Sequence, residues 1–238
     1  MDHTRVLGVR VDCVDMPAAL SRIEAMVAEG GHHLVATINP EFVMLARRDP
    51  EFARTLEAAS LSLPDGSGVV WAARRQGCAL PGTVTGTDLV EPIAELCARR
   101  GWRLFLLGAG PGVAAQLAKR LEERHAGLSV GHHMGHADPW ADDDAIHVIR
   151  ESRPDILLVA FGAPKQEMWI ERAGRRIDTP VAIGVGGAFD YLTGRVPRAP
   201  EWMRRAGMEW TYRLARQPWR ARRMAVLPGF AFRVLRGR

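Results

Sequence analysis

Acidic side chains are nearly absent from one end of this chain. Between Arg195 and Arg238 there are 12 arginines and only two acids, Glu201 and Glu209, a net charge of +10. Residues 1–194 carry 20 basic and 25 acidic groups, a net −5. A mildly acidic body with a strongly basic tail points to a polyanionic partner: nucleic acid, an anionic membrane surface or a diphosphate. Lysine is scarce as well, with Lys119 and Lys165 the only two among 32 basic residues. Cysteine is confined to Cys13, Cys78 and Cys97. They have neither CxxC spacing nor an even count, which excludes a zinc knuckle and fits thiols in a reducing compartment. No stretch approaches the roughly 18 consecutive apolar residues of a spanning helix. Met1–Arg5 lead into an alternating segment with no signal-peptide core, so the expectation is a cytoplasmic protein. What is present, 238 residues at 47% hydrophobic and 25% charged, is enough for a substantial globular core.

Strand-like and helix-like segments alternate along the chain. Val6–Val14 reads as a strand, Pro17–Ala28 as a helix, His32–Ile38 as a strand, and Phe42–Ala59 as one or two helices broken near Pro50. The apolar run Ala58–Leu63 precedes the helix-like Val69–Gln76. Leu89–Arg100 is helical, with Thr87 or Asp88 as its cap. Strand Trp102–Leu107, helix Val113–His125, a strand near Leu128–Gly131, a helix running to Arg150, and strands Asp155–Phe161 and Pro180–Val185 follow. This pattern predicts an α/β fold, a mostly parallel, Rossmann-like sheet with helices on both faces. The expected organisation is an α/β catalytic domain over 1–194 and a basic, amphipathic helical appendage over 195–238.

Ligands of such sheets bind beyond the carboxyl ends of the strands. Thr37, Asn39, Asp65, Gly108, Gly110, Lys165, Gln166, Gly186 and Asp190 all fall there in this reading. In Leu63-Pro64-Asp65-Gly66-Ser67-Gly68, Pro64 cannot sit inside a central strand and Gly66 permits a sharp turn, so Asp65 projects from a strand end. It serves either as a reactive carboxylate or as a helix N-cap. Asn39 suits a cap, with Pro40 in the first turn. The Thr37 hydroxyl lies at the same strand end as Asp65 if the two strands are parallel neighbours. Gly108-Ala109-Gly110-Pro111-Gly112 is either a phosphate cradle before a helix or only a turn. Lys165 is a point charge for a phosphate or an exposed helix-start residue, and Gln166 and Glu167 offer groups for sugar hydroxyls or a nucleobase. Gly186-Gly187-Ala188-Phe189-Asp190 is a second Gly-rich strand end, and Thr87 and Asp88 complete the candidate binding set.

Other constellations are weaker. A nicotinamide-dinucleotide site is disfavoured because the third glycine is misplaced and no acid ends the following strand. His132, His133, His136 and Asp138 resemble metal ligands but lack helical i, i+4 spacing, so a solvated loop is preferred. Asp142-Asp143-Asp144 contains a D-x-D, but it falls in the first turn of a helix, where acids favour the dipole. No metal site is assigned.

In the tail, Glu201–Arg216 reads as a helix, interrupted by Pro218, with Trp202, Trp210 and Trp219 among arginines. Arg213, Arg220 and Arg223 share a face if the helix is continuous. Aromatic and apolar groups mixed with arginine are the composition of a segment lying on anionic lipid; a helix packed on its own domain is the plain alternative.

Six stretches in order carry a resemblance: Thr37-Ile38-Asn39-Pro40-Glu41, Leu63–Gly68, Thr85-Gly86-Thr87-Asp88-Leu89, Phe161–Glu167, Gly184–Asp190 and Arg198-Ala199-Pro200. Together they resemble the bacterial glycosyltransferases of the WecG/TagA/CpsF type. The resemblance implies an α/β core with a basic C-terminal appendage. It implies transfer of an N-acetylmannosamine-type sugar, uronic acid or hexose from a UDP-sugar to a polyprenyl-diphosphate-linked sugar in cell-surface polysaccharide synthesis. It further implies that Asp65 is the general base, that Thr37 and Asn39 shape its pocket, and that Arg213, Arg220 and Arg223 close over it toward the lipid diphosphate. The expected reaction is inverting and metal-independent, with no cofactor beyond the UDP-sugar substrate, at the inner face of the cell membrane. No nucleic-acid partner is expected, although a nucleic-acid-binding protein or a non-catalytic lipid-surface scaffold also accounts for the tail. The region His132–Asp138 matches no pattern associated with the family.

Overall fold

The computed structural model describes residues 2–136, 142–205, 207–216 and 224–237. Glycine sets the first departure from expectation. Leu7 and Gly8 both have positive φ, 49° and 94°, which breaks Val6–Val14 into a two-stranded antiparallel hairpin, β1 (His3–Val6) and β2 (Val9–Asp12). The hairpin leads to α1 (Met16–Glu29), capped by Asp15, and then to β3 (His33–Ile38).

Pro50 separates α2 (Pro40–Ala46) from α3 (Pro50–Glu57), each with proline in its first turn and an Asn or Asp cap. Next come β4 (Leu61–Pro64), α4 (Ser67–Arg75), α5 (Gly86–Arg100), β5 (Arg103–Gly108), α6 (Val113–Arg124) and β6 (Ser129–His133). The remainder of the core is α7 (Asp143–Ser152), β7 (Ile156–Ala160), α8 (Lys165–Ala173), β8 (Val181–Gly184) and α9 (Ala188–Leu192). The expected single tail helix is two, α10 (Glu201–Arg205) and α11 (Glu209–Arg216), with Gly207 at φ 70° between them; α12 (Val226–Arg236) follows. Pro218 and Trp219 lie outside the described residues.

The six strands β3 to β8 form one sheet in the order β4-β3-β8-β7-β5-β6, with every pairing parallel. The α/β, Rossmann-like expectation therefore holds. Side chains alternate between the faces, as the strand period of two requires. Leu34, Ala36, Phe105, Leu107, Leu157 and Val159 enter one apolar layer, while Val35, Leu104, Leu106, Ile156 and Leu158 enter the other. Phe230 of α12 is 2% exposed and belongs to the first layer, packed with α2.

Cys13 and Cys78 are joined by a disulfide with Cα atoms 5.9 Å apart, which corrects the expectation of three thiols; Cys97 is free and buried. The partners are 65 residues apart, and packing of β1 on α4 brings them together.

Candidate functional site

Parallel pairing of β3 with β4 places Ile38 opposite Pro64, and the Asp65 amide donates to the Ile38 carbonyl at 2.8 Å. That bond extends the ladder by one residue and sets Asp65 beside Asn39. The N-cap position of α4 is Gly66, at φ 91° and ψ 143°, and no side chain caps that helix. Asp65 is therefore not the helix cap that its turn allowed. A β-carbon at Gly68 would lie 2.9 Å from Cγ of Pro40, so the starts of α2 and α4 approach this closely only with glycine there. Asn39 caps α2, its Oδ1 accepting from the Phe42 amide at 3.1 Å. Thr37 is buried on the same strand, and its hydroxyl donates to the Gly184 carbonyl of β8 at 3.1 Å.

Two cavities meet at these residues. A polar one of about 320 Å³ is lined by Thr37, Asn39, Asp65, Gln166, Gly186 and Asp190, with Thr87 and Gly187 also on its wall. An apolar one of about 340 Å³ runs from Asn39 and Asp65 to Trp71, Trp210, Leu227 and Phe230. Asn39, Glu41, Asp65 and Thr85 line both. A third cavity of about 370 Å³ shares Ala160 and Phe161 with the polar one and is lined by Lys165 and His136.

The start of the tail is held against this end of the sheet. Ser67 Oγ donates to the Gly207 carbonyl at 3.0 Å, and Arg198 reaches Asp88 at 2.7 Å and Glu209 at 3.9 Å. Among the described residues no helix is long and apolar enough to cross a membrane. Trp202, Trp210, Phe232 and Leu235 are exposed on the tail helices.

Several of the residues singled out lie elsewhere than on a cavity wall. Asp88 lies in the first turn of α5: Thr85, not Thr87 or Asp88, is the N-cap, its Oγ1 accepting from the Asp88 amide at 3.1 Å and donating to Oδ2 at 2.7 Å. Gly108 is required by packing, since a β-carbon would meet the Ala160 carbonyl carbon at 3.0 Å. Gly110 faces the Arg195 guanidinium, which donates to the Pro111 carbonyl at 2.8 Å. Glu167 has 0% exposure, and burial pushes its carboxyl up to about 8. It is neutral at physiological pH and does not face the cavity.

His133 Nδ1 accepts from the Gly135 amide at 3.0 Å, and Asp143 and Asp144 occupy the first turn of α7. Among the described residues no group of three or more His, Cys, Asp or Glu side chains is arranged to hold a metal ion. Asp138, Arg220 and Arg223 lie outside the described residues. Arg213 is on α11, where only the backbone is described.

Sequence reasoning passed over Glu41, Thr85, Tyr191 and the aromatic wall of Trp71, Trp210 and Phe230. Glu41 sits in the Thr37–Glu41 motif but reads as an ordinary first-turn acid. Thr85 stands in the Thr85–Leu89 stretch, but the cap is expected at Thr87 or Asp88. The aromatic wall joins α4, α11 and α12, whose proximity no local pattern shows.

Comparison with known proteins bears on the chain as a whole. Residues 4–238 match the Glycosyl transferase WecG/TagA/CpsF family. A relative from Bacillus subtilis (strain 168), named N-acetylglucosaminyldiphosphoundecaprenol N-acetyl-beta-D-mannosaminyltransferase, is 32% identical over 205 residues, 85% of this chain and 79% of its own. A relative of the same name from Staphylococcus aureus (strain MW2) is 29% identical over 235 residues, 98% of this chain and 92% of its own. The non-catalytic readings of the basic tail are thereby set aside: the chain belongs to the WecG/TagA/CpsF family and is a glycosyltransferase.

Proposed function

We propose that this glycosyltransferase moves an N-acetylmannosamine-type sugar from a UDP-sugar onto an N-acetylglucosamine carried by a polyprenyl diphosphate, with Asp65 as general base. The observation that carries this reading is the position of Asp65 on the wall of both cavities, one polar and one apolar. The acceptor and the transferred sugar follow the names of the two relatives.

The polar cavity takes the donor. Thr87 and Asp190 bring hydrogen-bonding side chains to its wall, with Thr37 and Gln166 bracing the strand ends behind them and Ala163 and Gly187 adding backbone, which suits a ligand rich in hydroxyls and phosphate oxygens. Lys165, at the start of α8 beside the same strand end, supplies a cation near the leaving diphosphate. The apolar cavity takes the first part of the lipid-linked acceptor, and the exposed aromatics and arginines of α11 and α12 rest on an anionic membrane at its inner face. In this arrangement residues 195–238 act as the appendage that completes the acceptor side.

The chemistry is a single displacement. The acceptor hydroxyl gives its proton to the Asp65 carboxylate as its oxygen bonds to the anomeric carbon, and the bond from that carbon to the diphosphate oxygen breaks, its electron pair leaving with UDP. Attack from the face opposite the leaving group inverts the anomeric centre, so an α-linked donor gives the β linkage named for the relatives. A base within about 3 Å of the acceptor hydroxyl is required, and the place of Asp65 on both cavity walls supports that role. Charge on the departing diphosphate is held by Lys165 and backbone amides, so the reaction proceeds without a divalent ion.

UDP release from a panel of UDP-sugars, with a short-chain lipid diphosphate N-acetylglucosamine and in either EDTA or magnesium, tests the reading. Acceptor-dependent release that survives EDTA is the expected result. Release that requires magnesium overturns the metal-free step, and failure of UDP to bind overturns the donor assignment.

A further inference from the structure

Glu167 is an unusual presence: a carboxyl with no exposed surface, in the first turn of α8, with Oε2 lacking a hydrogen-bond partner. Replacing such a group with an apolar side chain of similar size is often neutral or stabilising. Stability therefore does not account for it. Its other oxygen, Oε1, accepts from Nε2 of Gln166 at 2.6 Å. The Gln166 carbonyl oxygen in turn accepts from two backbone amides, Gly162 at 3.0 Å and Gly186 at 2.9 Å. Gly162 follows β7 and Gly186 follows β8, and both line the polar cavity. The Gln166 carboxamide thus ties two neighbouring strand ends together.

A carboxamide works in this way in one orientation only. Rotated by half a turn, its NH₂ would face two N–H donors and all three groups would lose their partners. The acceptor that fixes the orientation is Glu167 Oε1. Opposite the pair stands Gly184, where a β-carbon would overlap both Glu167 Oε1 and Gln166 Nε2. The Gly184 carbonyl accepts from Thr37, so the tie reaches β3 as well.

We propose that Glu167 is a positioning residue: by orienting the Gln166 carboxamide it holds the ends of β7 and β8 in the geometry that receives the donor diphosphate. This role rests on the reading of the polar cavity as the donor site. Burial raises the Glu167 carboxyl to about 8, so below that pH it is mostly neutral and a carboxamide at 167 presents the same acceptor.

The test compares Glu167→Gln, which keeps an acceptor at Oε1, with Glu167→Leu, which removes it. Amide hydrogen exchange at Gly162 and Gly186 is read without substrate, and donor KM and kcat are read with UDP-sugar. Wild type and E167Q should protect both amides and agree in KM within about threefold. E167L should lose roughly tenfold in protection at these two amides and raise donor KM by roughly tenfold with kcat nearly unchanged, the loss expected for one hydrogen bond. Should E167L fail to fold, Gln166→Met removes the same tie and must deprotect the same two amides.

Amides that stay protected in E167L or Q166M overturn the tie. Loss of donor binding in E167Q with both amides protected overturns it in favour of direct contact between the carboxyl and the ligand. If the amides open but KM does not move, the positioning role falls. Because exchange is measured without substrate, it stands apart from the identity of the donor.

Discussion

The chain has two Gly-rich strand ends that look alike in sequence and behave differently in the fold. After β5, Gly108 meets the backbone of Ala160 and Gly110 the guanidinium of Arg195, and only Ala109 between them lines one of the three cavities, the one holding Lys165. After β8, Gly184–Gly187 receives the Thr37 hydroxyl and the Gln166 carboxamide, and Gly186 and Gly187 line the polar cavity. The difference is one of neighbours. β8 lies between β3 and β7, so its end is flanked by Thr37 and Asn39 on one side and by Gln166 on the other. β5 lies between β7 and the edge strand β6. Glycine makes room at a strand end, and the adjoining strands decide whether that room becomes a site.

The largest effect that would break this contrast comes from Asp65, which follows β4 on the far side of β3 and lines the same polar cavity as the end of β8. Asp65→Ala should lower kcat for lipid-linked acceptor by about 10²–10⁴, the usual range for loss of a general base, with UDP affinity retained in a binding titration. Normal turnover in a folded D65A protein would remove the base assignment, and Glu41, which lines both cavities, would be the next carboxylate to replace.

A matched pair of glycine substitutions addresses the two strand ends directly. Gly184→Ala overlaps Gln166 and Glu167 and should weaken UDP-sugar binding by roughly tenfold, the loss of about one hydrogen bond, because the Gln166 carboxamide must move off the strand ends it ties. Gly110→Ala places its methyl 3.4 Å from the flexible tip of Arg195 and should leave binding within about twofold. Equal losses from both, measured by calorimetry, would erase the distinction.

The smallest effect is one of pH. The Glu167 carboxyl is raised from the ordinary 4.5 to about 8 in the folded protein. The folded chain therefore binds the extra proton between these values. The associated stability is full below about 4.5 and is lost as pH rises through about 8. The urea midpoint should fall across that window, and E167Q should remove this part of the slope. An unchanged slope in E167Q would show that other groups produce it.

Much of this was legible beforehand, for physical reasons that differ by residue. Alternation of apolar runs with helical spacing showed a parallel α/β sheet, because each strand is buried on both faces and each helix on one. Proline and glycine around Asp65 placed it at a strand end. The strand order was not legible, and it is what joins the ends of β3, β8 and β7. Thr37 and Asp65 could be put together only on the condition that their strands were parallel neighbours. Glu167 reads as a group for sugar hydroxyls or a nucleobase, and its complete burial was not legible, because only the sheet behind α8 shows that it is enclosed. The Cys13–Cys78 pairing depends on the hairpin packing against α4, which spacing along the chain does not reveal. Asp88 reads both as a cap and as part of the binding set, because a helix start and a binding motif use the same letters.

The burial of Phe230 bears on how long the acceptor side stays open. Phe230 belongs to the same apolar layer as α2, whose cap is Asn39, and it also lines the apolar cavity. Swinging α12 outward to widen that cavity would bare this ring, at a cost of about 1.5–3 kcal/mol. Such a cost leaves the widened form populated at roughly one molecule in ten to one in a hundred. A bulky lipid entering by that route draws on this minor form alone, so its apparent affinity is weakened by the same factor of roughly ten to a hundred.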